Sequence, residues 1–323
     1  MTVSARSVPA LLIAIAAGAA VTGCAAPTPQ AEGLSIVAST NVYGDIAASI
    51  AGDLATVTSI IDSAAQDPHS YEASAQDQLA IARADLVIEN GGGYDPFIDL
   101  LVEGSGTSAV IVSAAAVAGL EEGAHPEEGD AHAEEEAHVD DDGHGHSEGV
   151  NEHVWYDIHV MREVAAAIAV ELVALDAENA AVYEQNLTTW TTAFDSLSAE
   201  LEAVAAELGG GVVASTEPVP AYLLAELGFT DETPAEFTEA IEEGADVPPL
   251  ALQRTLDLIA SGQVRLLAYN EQTASSETER VRAAAEAAGI PVVSFGETLP
   301  DGEDYMSWMR ANIEAVAGVL TPA

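Results

Sequence analysis

The chain has 323 residues, 49% of them hydrophobic, and a mean hydropathy of +0.18, enough for one large core or two medium ones. Its 54 acidic residues face eight arginines and no lysine, a formal charge of −46. That balance excludes nucleic acid and anionic lipid surfaces as partners and fits a soluble surface, or one that attracts cations.

Residues 1–23 read as a targeting segment. Arg6 is its short positive region, and "PALLIAIAAGAAV" is an apolar run too short to span a bilayer in a mature protein. The run ends in "VTGC", which resembles a bacterial lipobox and implies lipidation and cleavage at Cys24. Cys24 is the only cysteine, so the chain has no internal disulfide. Residues 24–33 read as a tether, which would hold the mature protein outside the cytoplasmic membrane by its lipid.

From Leu34 short apolar runs alternate with helical stretches. "LSIVAS", "LATVTSII", "DLVIEN" and "AVIVSAA" predict strands, with helices near 41–51, 74–83 and 95–103. Residues 119–150 break this pattern with Gly, Pro, His and acids and read as a disordered insertion in a lobe covering 34–175. A long alanine-rich run from about Ile158 to Leu208 follows, interrupted near Asp176. Its second part, 176–208, predicts a rigid helix joining two lobes. From 209 to 323 the alternation restarts, with strands at "VVAS", "VRLLAY" and "IPVVSF" and helices near 219–227, 248–261, 276–288 and 304–319. The fold class is therefore α/β, two lobes each with a mostly parallel sheet flanked by helices.

Ligands of open α/β sheets bind beyond the carboxyl ends of the strands. Four polar residues follow strands or precede the long run: His69, His153, Glu217 and Glu297, with Asp301 and Asp304 as rivals for the last place. Two imidazoles and two carboxylates make a closed site for a divalent first-row metal. Each also has a bland reading: a surface loop histidine for His69, a packed histidine beside Val154 and Trp155 for His153, a first-turn acid for Glu217, and a solvated turn for Glu297.

The segments around these residues carry a family resemblance. "AQDPHSYEASAQDQLAIARADLVIENG" and "EHVWYD" resemble two motifs of the solute-binding proteins of zinc and manganese ABC importers, the ZnuA-like metal-binding family. "STEPVPAYLLAELGF" and "SFGETLPDGEDYMSWMRANI" resemble the two later ones, departing further from the commonest pattern. The resemblance implies that His69, His153, Glu217 and Glu297 are the metal ligands. It also implies that the function is capture of a divalent metal for an ABC permease and its ATPase, by a monomer and without catalysis. It likens 121–148, with five histidines (His125, His132, His138, His144 and His146) and twelve acids, to the histidine-rich insertion of zinc-type members. Such a segment cannot pack a core and would collect metal weakly.

The metal indicators diverge. The insertion leans to Zn2+, and zinc is the favoured cargo; two histidines with two glutamates lean to Mn2+ or ferrous iron. An extracellular metal buffer or adhesin without a permease is the alternative from another class. A metallo-hydrolase is disfavoured, because no "HExxH" is present and four protein ligands leave no position for a catalytic water.

Overall fold

A computed structural model describes residues 33–66, 68, 71–120 and 151–321. β1 (Leu34–Thr40) is buried from Ile36 to Thr40, as expected of a strand covered on both faces. It pairs in parallel with β2 (Ala55–Ile61) on one side, Leu34 opposite Ala55, and with β3 (Leu86–Glu89) on the other. β4 (Val110–Ser113) completes a four-stranded parallel sheet of order β2-β1-β3-β4. The second sheet repeats that order as β6-β5-β7-β8, built from β5 (Gly211–Ser215), β6 (Phe229–Asp231), β7 (Val264–Tyr269) and β8 (Val292–Ser294). In each sheet the connection reverses beside the first strand, which opens a crevice at the carboxyl ends.

The helices mostly follow expectation: α1 (Asn41–Ala51), α2 (Ala75–Ile81), α3 (Pro96–Ser105), α7 (Ala221–Glu226), α9 (Pro249–Ala260), α10 (Ser276–Ala287) and α11 (Tyr305–Leu320). "AVIVSAA" is cut short, because the Ser113 hydroxyl accepts from the Ala116 N–H at 3.1 Å and starts the short α4 (Ala114–Val117). The long run divides into α5 (Ile158–Leu175) and α6 (Ala180–Leu208). The joining helix starts at Ala180 rather than Asp176, since the Asp176 carboxylate accepts from Asn179 Nδ2 at 2.7 Å and Tyr183 OH at 2.9 Å, a local bonding that competes with helix. Two elements escape the sequence reading altogether, β6 and α8 (Ala235–Glu242). In β6 only Phe229 is buried, and α8 lies in an acid-rich stretch.

α6 buries Tyr183, Trp190, Phe194, Leu197, Leu201 and Leu208, a stripe spaced by threes, fours and sevens. At 29 residues it spans about 44 Å. The main core runs along it, taking in both β1 and β5 neighbourhoods and α11. Gly210, at φ +65°, ends the rod where any Cβ would meet the Gly228 carbonyl oxygen at 2.0 Å.

The two sheets are also tied near their crevices. Asn41 Nδ2 donates to the Leu299 carbonyl at 2.9 Å, and the Leu299 N–H donates to Asn41 Oδ1 at 2.9 Å. Tyr156 OH donates to the Gly296 carbonyl at 2.8 Å, and Tyr305 OH to the Trp155 carbonyl at 2.8 Å. Asn41→Ala leaves both Leu299 backbone groups without these partners. It should cost about 1–3 kcal/mol in chemical denaturation, with the denaturant slope unchanged.

Candidate metal centre

Between the two sheets, buried carboxylates and one imidazole converge. Glu217 follows β5 and is 3% exposed; Glu297 follows β8 and is 2% exposed. Asn270, directly after β7, bridges them: its Nδ2 donates to Glu217 Oε2 and to Glu297 Oε1, each at 2.7 Å. The amide cannot be turned round, because Asn270 Oδ1 accepts from the Gln272 N–H at 2.9 Å. Thr273 Oγ1 also donates to Glu217 Oε2 at 2.5 Å, and Tyr94 OH to Glu297 Oε2 at 3.1 Å. Two anions are thus held toward one point by neutral donors, in a place where water is excluded and charge is costly. Burial first, and the Glu297 charge second, push the Tyr94 hydroxyl well above the usual phenol range, so it remains a donor.

His153 reaches this cleft from the turn before α5 and is 1% exposed. Its ring packs edge-on against Trp155 at 5.0 Å and Tyr94 at 5.9 Å between centroids. Asn151 sets its tautomer. Asn151 Nδ2 donates to the Pro218 carbonyl at 3.1 Å, so Oδ1 faces the histidine and accepts from the His153 backbone N–H at 3.1 Å. The same Oδ1 lies 2.7 Å from His153 Nδ1. Nδ1 must therefore carry the proton, which leaves the lone pair on Nε2, the form in which a histidine ligates a metal. Tyr222 OH donates to the Asn151 carbonyl at 2.6 Å, fastening this turn to α7 as well.

The loop after β3 supports the turn from the other side. Asn90 Nδ2 donates to the Glu152 carbonyl at 2.9 Å, and Asp95 accepts from the Asn90 and Gly91 N–H groups at 2.7 and 2.8 Å. Burial raises Asp95 to about 6, with the hydrogen bonds it accepts opposing.

A third acid enters from α8. The donor atoms of Glu152, His153 and Glu242 lie within 4.8 Å of one another, the one cluster of metal-ligating side chains that close among the described residues. Glu242 Oε1 is 3.6 Å from His153 Nδ1. Burial, then the charges of Glu152, Glu217, Glu297 and Glu243, raise Glu242 to about 9. Neither Glu242 nor Glu152 follows from the strand-end rule, and α8 has no sequence signature. The only signal was an acid at the end of an apolar "FTEAI" run.

A family model described as zinc-uptake complex component A, periplasmic, matches residues 36–319. The chain belongs to this family. The manganese ABC transporter substrate-binding lipoprotein PsaA of Streptococcus anginosus is 24% identical over 332 residues, 96% of this chain and 98% of that protein. The manganese-binding lipoprotein MntA of Halalkalibacterium halodurans is 30% identical over 175 residues, 54% of this chain and half the length of MntA. The periplasmic zinc-binding protein TroA of Treponema pallidum shares the fold, with a TM-score of 0.70 at 17% identity over 89% of this chain and 99% of TroA. As a zinc-uptake component A family member, the chain is the metal-binding, substrate-capturing part of an ABC importer and not an enzyme.

In this family member, three of the four residues expected as ligands, His153, Glu217 and Glu297, are buried in the same cleft. The rivals of Glu297 are placed elsewhere: Asp301 is exposed, and Asp304 caps α11 by accepting from the Ser307 N–H at 2.8 Å. His69, Cys24 and the five insertion histidines His125, His132, His138, His144 and His146 lie outside the described residues. Among the described residues no helix is long and apolar enough to cross a membrane.

Proposed function

We propose that this protein captures manganese as its divalent cargo, outside the cytoplasmic membrane, and passes it to an ABC permease and its ATPase. The observation that carries the reading is the convergence of buried Glu217 and Glu297 on one amide nitrogen, beside a histidine whose Nδ1 is committed to Asn151. With His69, which the sequence resemblance implies as a ligand, that set offers two imidazole nitrogens and several carboxylate oxygens, a donor mix suited to manganese or ferrous iron. The likeness to lipoproteins named for manganese supports the same choice. Lipidation at Cys24, anchoring to the cell membrane and a monomeric state belong to the same proposal.

Zinc is the second reading, and the five histidines of 121–148 favour it. Intrinsic affinity does not separate the metals, because zinc outbinds manganese at almost any nitrogen and oxygen site. Metal content of protein purified without chelator or histidine tag, followed by manganese–zinc competition, tests the proposal. One tight equivalent, with manganese retained at cellular zinc levels, supports it; no tight equivalent of either metal overturns it.

Deleting Glu121–Glu148 should keep the single tight equivalent and remove weaker ones, since the segment lacks a periodic apolar face and takes five histidines with it. Calorimetric titration of both forms reads this directly. Loss of the tight equivalent would make one of the five histidines a principal ligand.

A further inference from the structure

We propose that Asn270 is the positioning residue of the metal cleft: its side-chain amide holds Glu217 and Glu297 together in the metal-free chain without cancelling their charge, so that the incoming cation meets a preformed anionic pair. The inference rests on the metal-capture reading above and gives a role in it to a residue that carries no metal itself.

The place of Asn270 in the sheet is the first ground. In the order β6-β5-β7-β8, β7 lies between the strands that lead to Glu217 and Glu297. Ser215 pairs with Ala268 on one side and Tyr269 with Ser294 on the other, so the residue after β7 stands between both ligand-bearing ends. Its Nδ2 donates to both, to Glu217 Oε2 and to Glu297 Oε1, each at 2.7 Å. Asn270 is 2% exposed, so these bonds form away from competing water.

The second ground is how firmly the amide is set. Its Oδ1 accepts from the Gln272 N–H at 2.9 Å, and its own backbone N–H donates at 3.1 Å to Oγ1 of Thr216, the residue directly before Glu217. The residues that follow serve the same pair. Gln272 Oε1 accepts from the Glu297 N–H at 2.7 Å, and Thr273 Oγ1 donates to Glu217 Oε2 at 2.5 Å. A capping box between Ser275 and Thr278 then starts α10 and fixes the far end of the loop.

The third ground is the chemistry of an amide. Two buried carboxylates drawn to one place repel each other and need donors. An arginine or lysine between them would supply donors but would also put a positive charge where the cation must come. A further carboxylate would add to the repulsion. A neutral amide donates twice and leaves the charge of the pair to the metal. Asn270 is not itself a ligand, because Nδ2 has no lone pair to offer and Oδ1 is turned to Gln272. It acts through the two carboxylates, sparing the cation the cost of gathering them.

The test uses the full chain stripped of metal and reloaded with Mn2+, Zn2+ or Co2+ alone, its fold checked by circular dichroism. Asn270→Ala should keep one tight equivalent and weaken manganese and zinc each about tenfold or more. The visible spectrum of bound Co2+ should change as the two carboxylates lose their common donor. A lower denaturation midpoint of the metal-free variant follows from any loss of buried hydrogen bonds. Affinity and the Co2+ spectrum of the folded protein are the readouts that a merely structural role would not move. Asn270→Ser, which restores a single donor, should bind more weakly than the parent and more tightly than Asn270→Ala, and it decides by the same readouts if the alanine variant does not fold. Parental affinity for both metals with an unchanged Co2+ spectrum would overturn the proposal. His153→Ala separates the two levels: if it too leaves binding intact, the metal-capture reading fails, whereas loss in His153→Ala with none in the Asn270 variants sinks only the role of Asn270.

Discussion

His153→Ala should reduce the affinity for manganese and for zinc by more than about a hundredfold, since losing even an outer partner of a ligand costs about 10–100-fold. The substitution removes the imidazole whose Nε2 lone pair is presented to the cleft and leaves Glu217 and Glu297 to face the cation with one nitrogen fewer. It also removes the ring from an aromatic stack with Trp155 and Tyr94. Some stability is lost with it, so metal binding must be read on protein whose fold is checked by circular dichroism. Asn151→Ala gives the matched control. It keeps the imidazole and removes the acceptor that sets its tautomer, so its effect should be a smaller loss, about tenfold, without loss of stoichiometry. Near-parental affinity in His153→Ala, measured by competition against a chelator, would show that the cleft binds its metal without this histidine.

Acidification should weaken binding steeply. A free imidazole titrates near ~6.5 and must be neutral to ligate, so two histidine ligands together cost about a thousandfold in affinity between neutral pH and pH 5. Glu242 adds a second window of the same sign at higher pH. Its carboxyl keeps a proton up to about 9 because burial and then Glu152, Glu217, Glu297 and Glu243 disfavour its charge. A cation entering the cleft favours the charged form, so affinity should go on rising between pH 7 and 9 with release of about one proton.

The linkage for the metal-free chain has a definite sign. Glu242 holds a proton when folded that it loses when unfolded, from its ordinary 4.5 up to about 9. Its contribution to stability is fully present below about 4.5, falls as pH rises and is gone above about 9. Calorimetry in two buffers of different ionisation enthalpy counts the released protons. An affinity flat from pH 7.5 to 5 would argue against histidine ligation.

Much of this protein is legible in one sequence because its signals are local. The strands buried on both faces, such as β1 and β7, read as apolar runs of the right length, and the period of α6 shows in Trp190, Phe194, Leu197 and Leu201. The repetition of strand and helix is enough to dictate parallel sheets, and the rule that ligands sit past strand ends puts Glu217 and Glu297 among the candidates without coordinates. Asp304, by contrast, looks as eligible as Glu297 in the sequence and differs only in being a helix cap.

What the tertiary structure alone decided is who faces whom. Asn270 joins Glu217 and Glu297 across 53 and 27 residues of chain, and Asn151 fixes the His153 tautomer by leaning on Pro218, 67 residues away. Glu242 is one acid among 54, on a helix of eight residues whose neighbours in sequence are also acidic. Nothing local distinguishes it. Its character comes from burial and from three other carboxylates brought there by separate elements, and long-range electrostatics of that kind depends on distances through space, which a residue pattern along the chain does not encode.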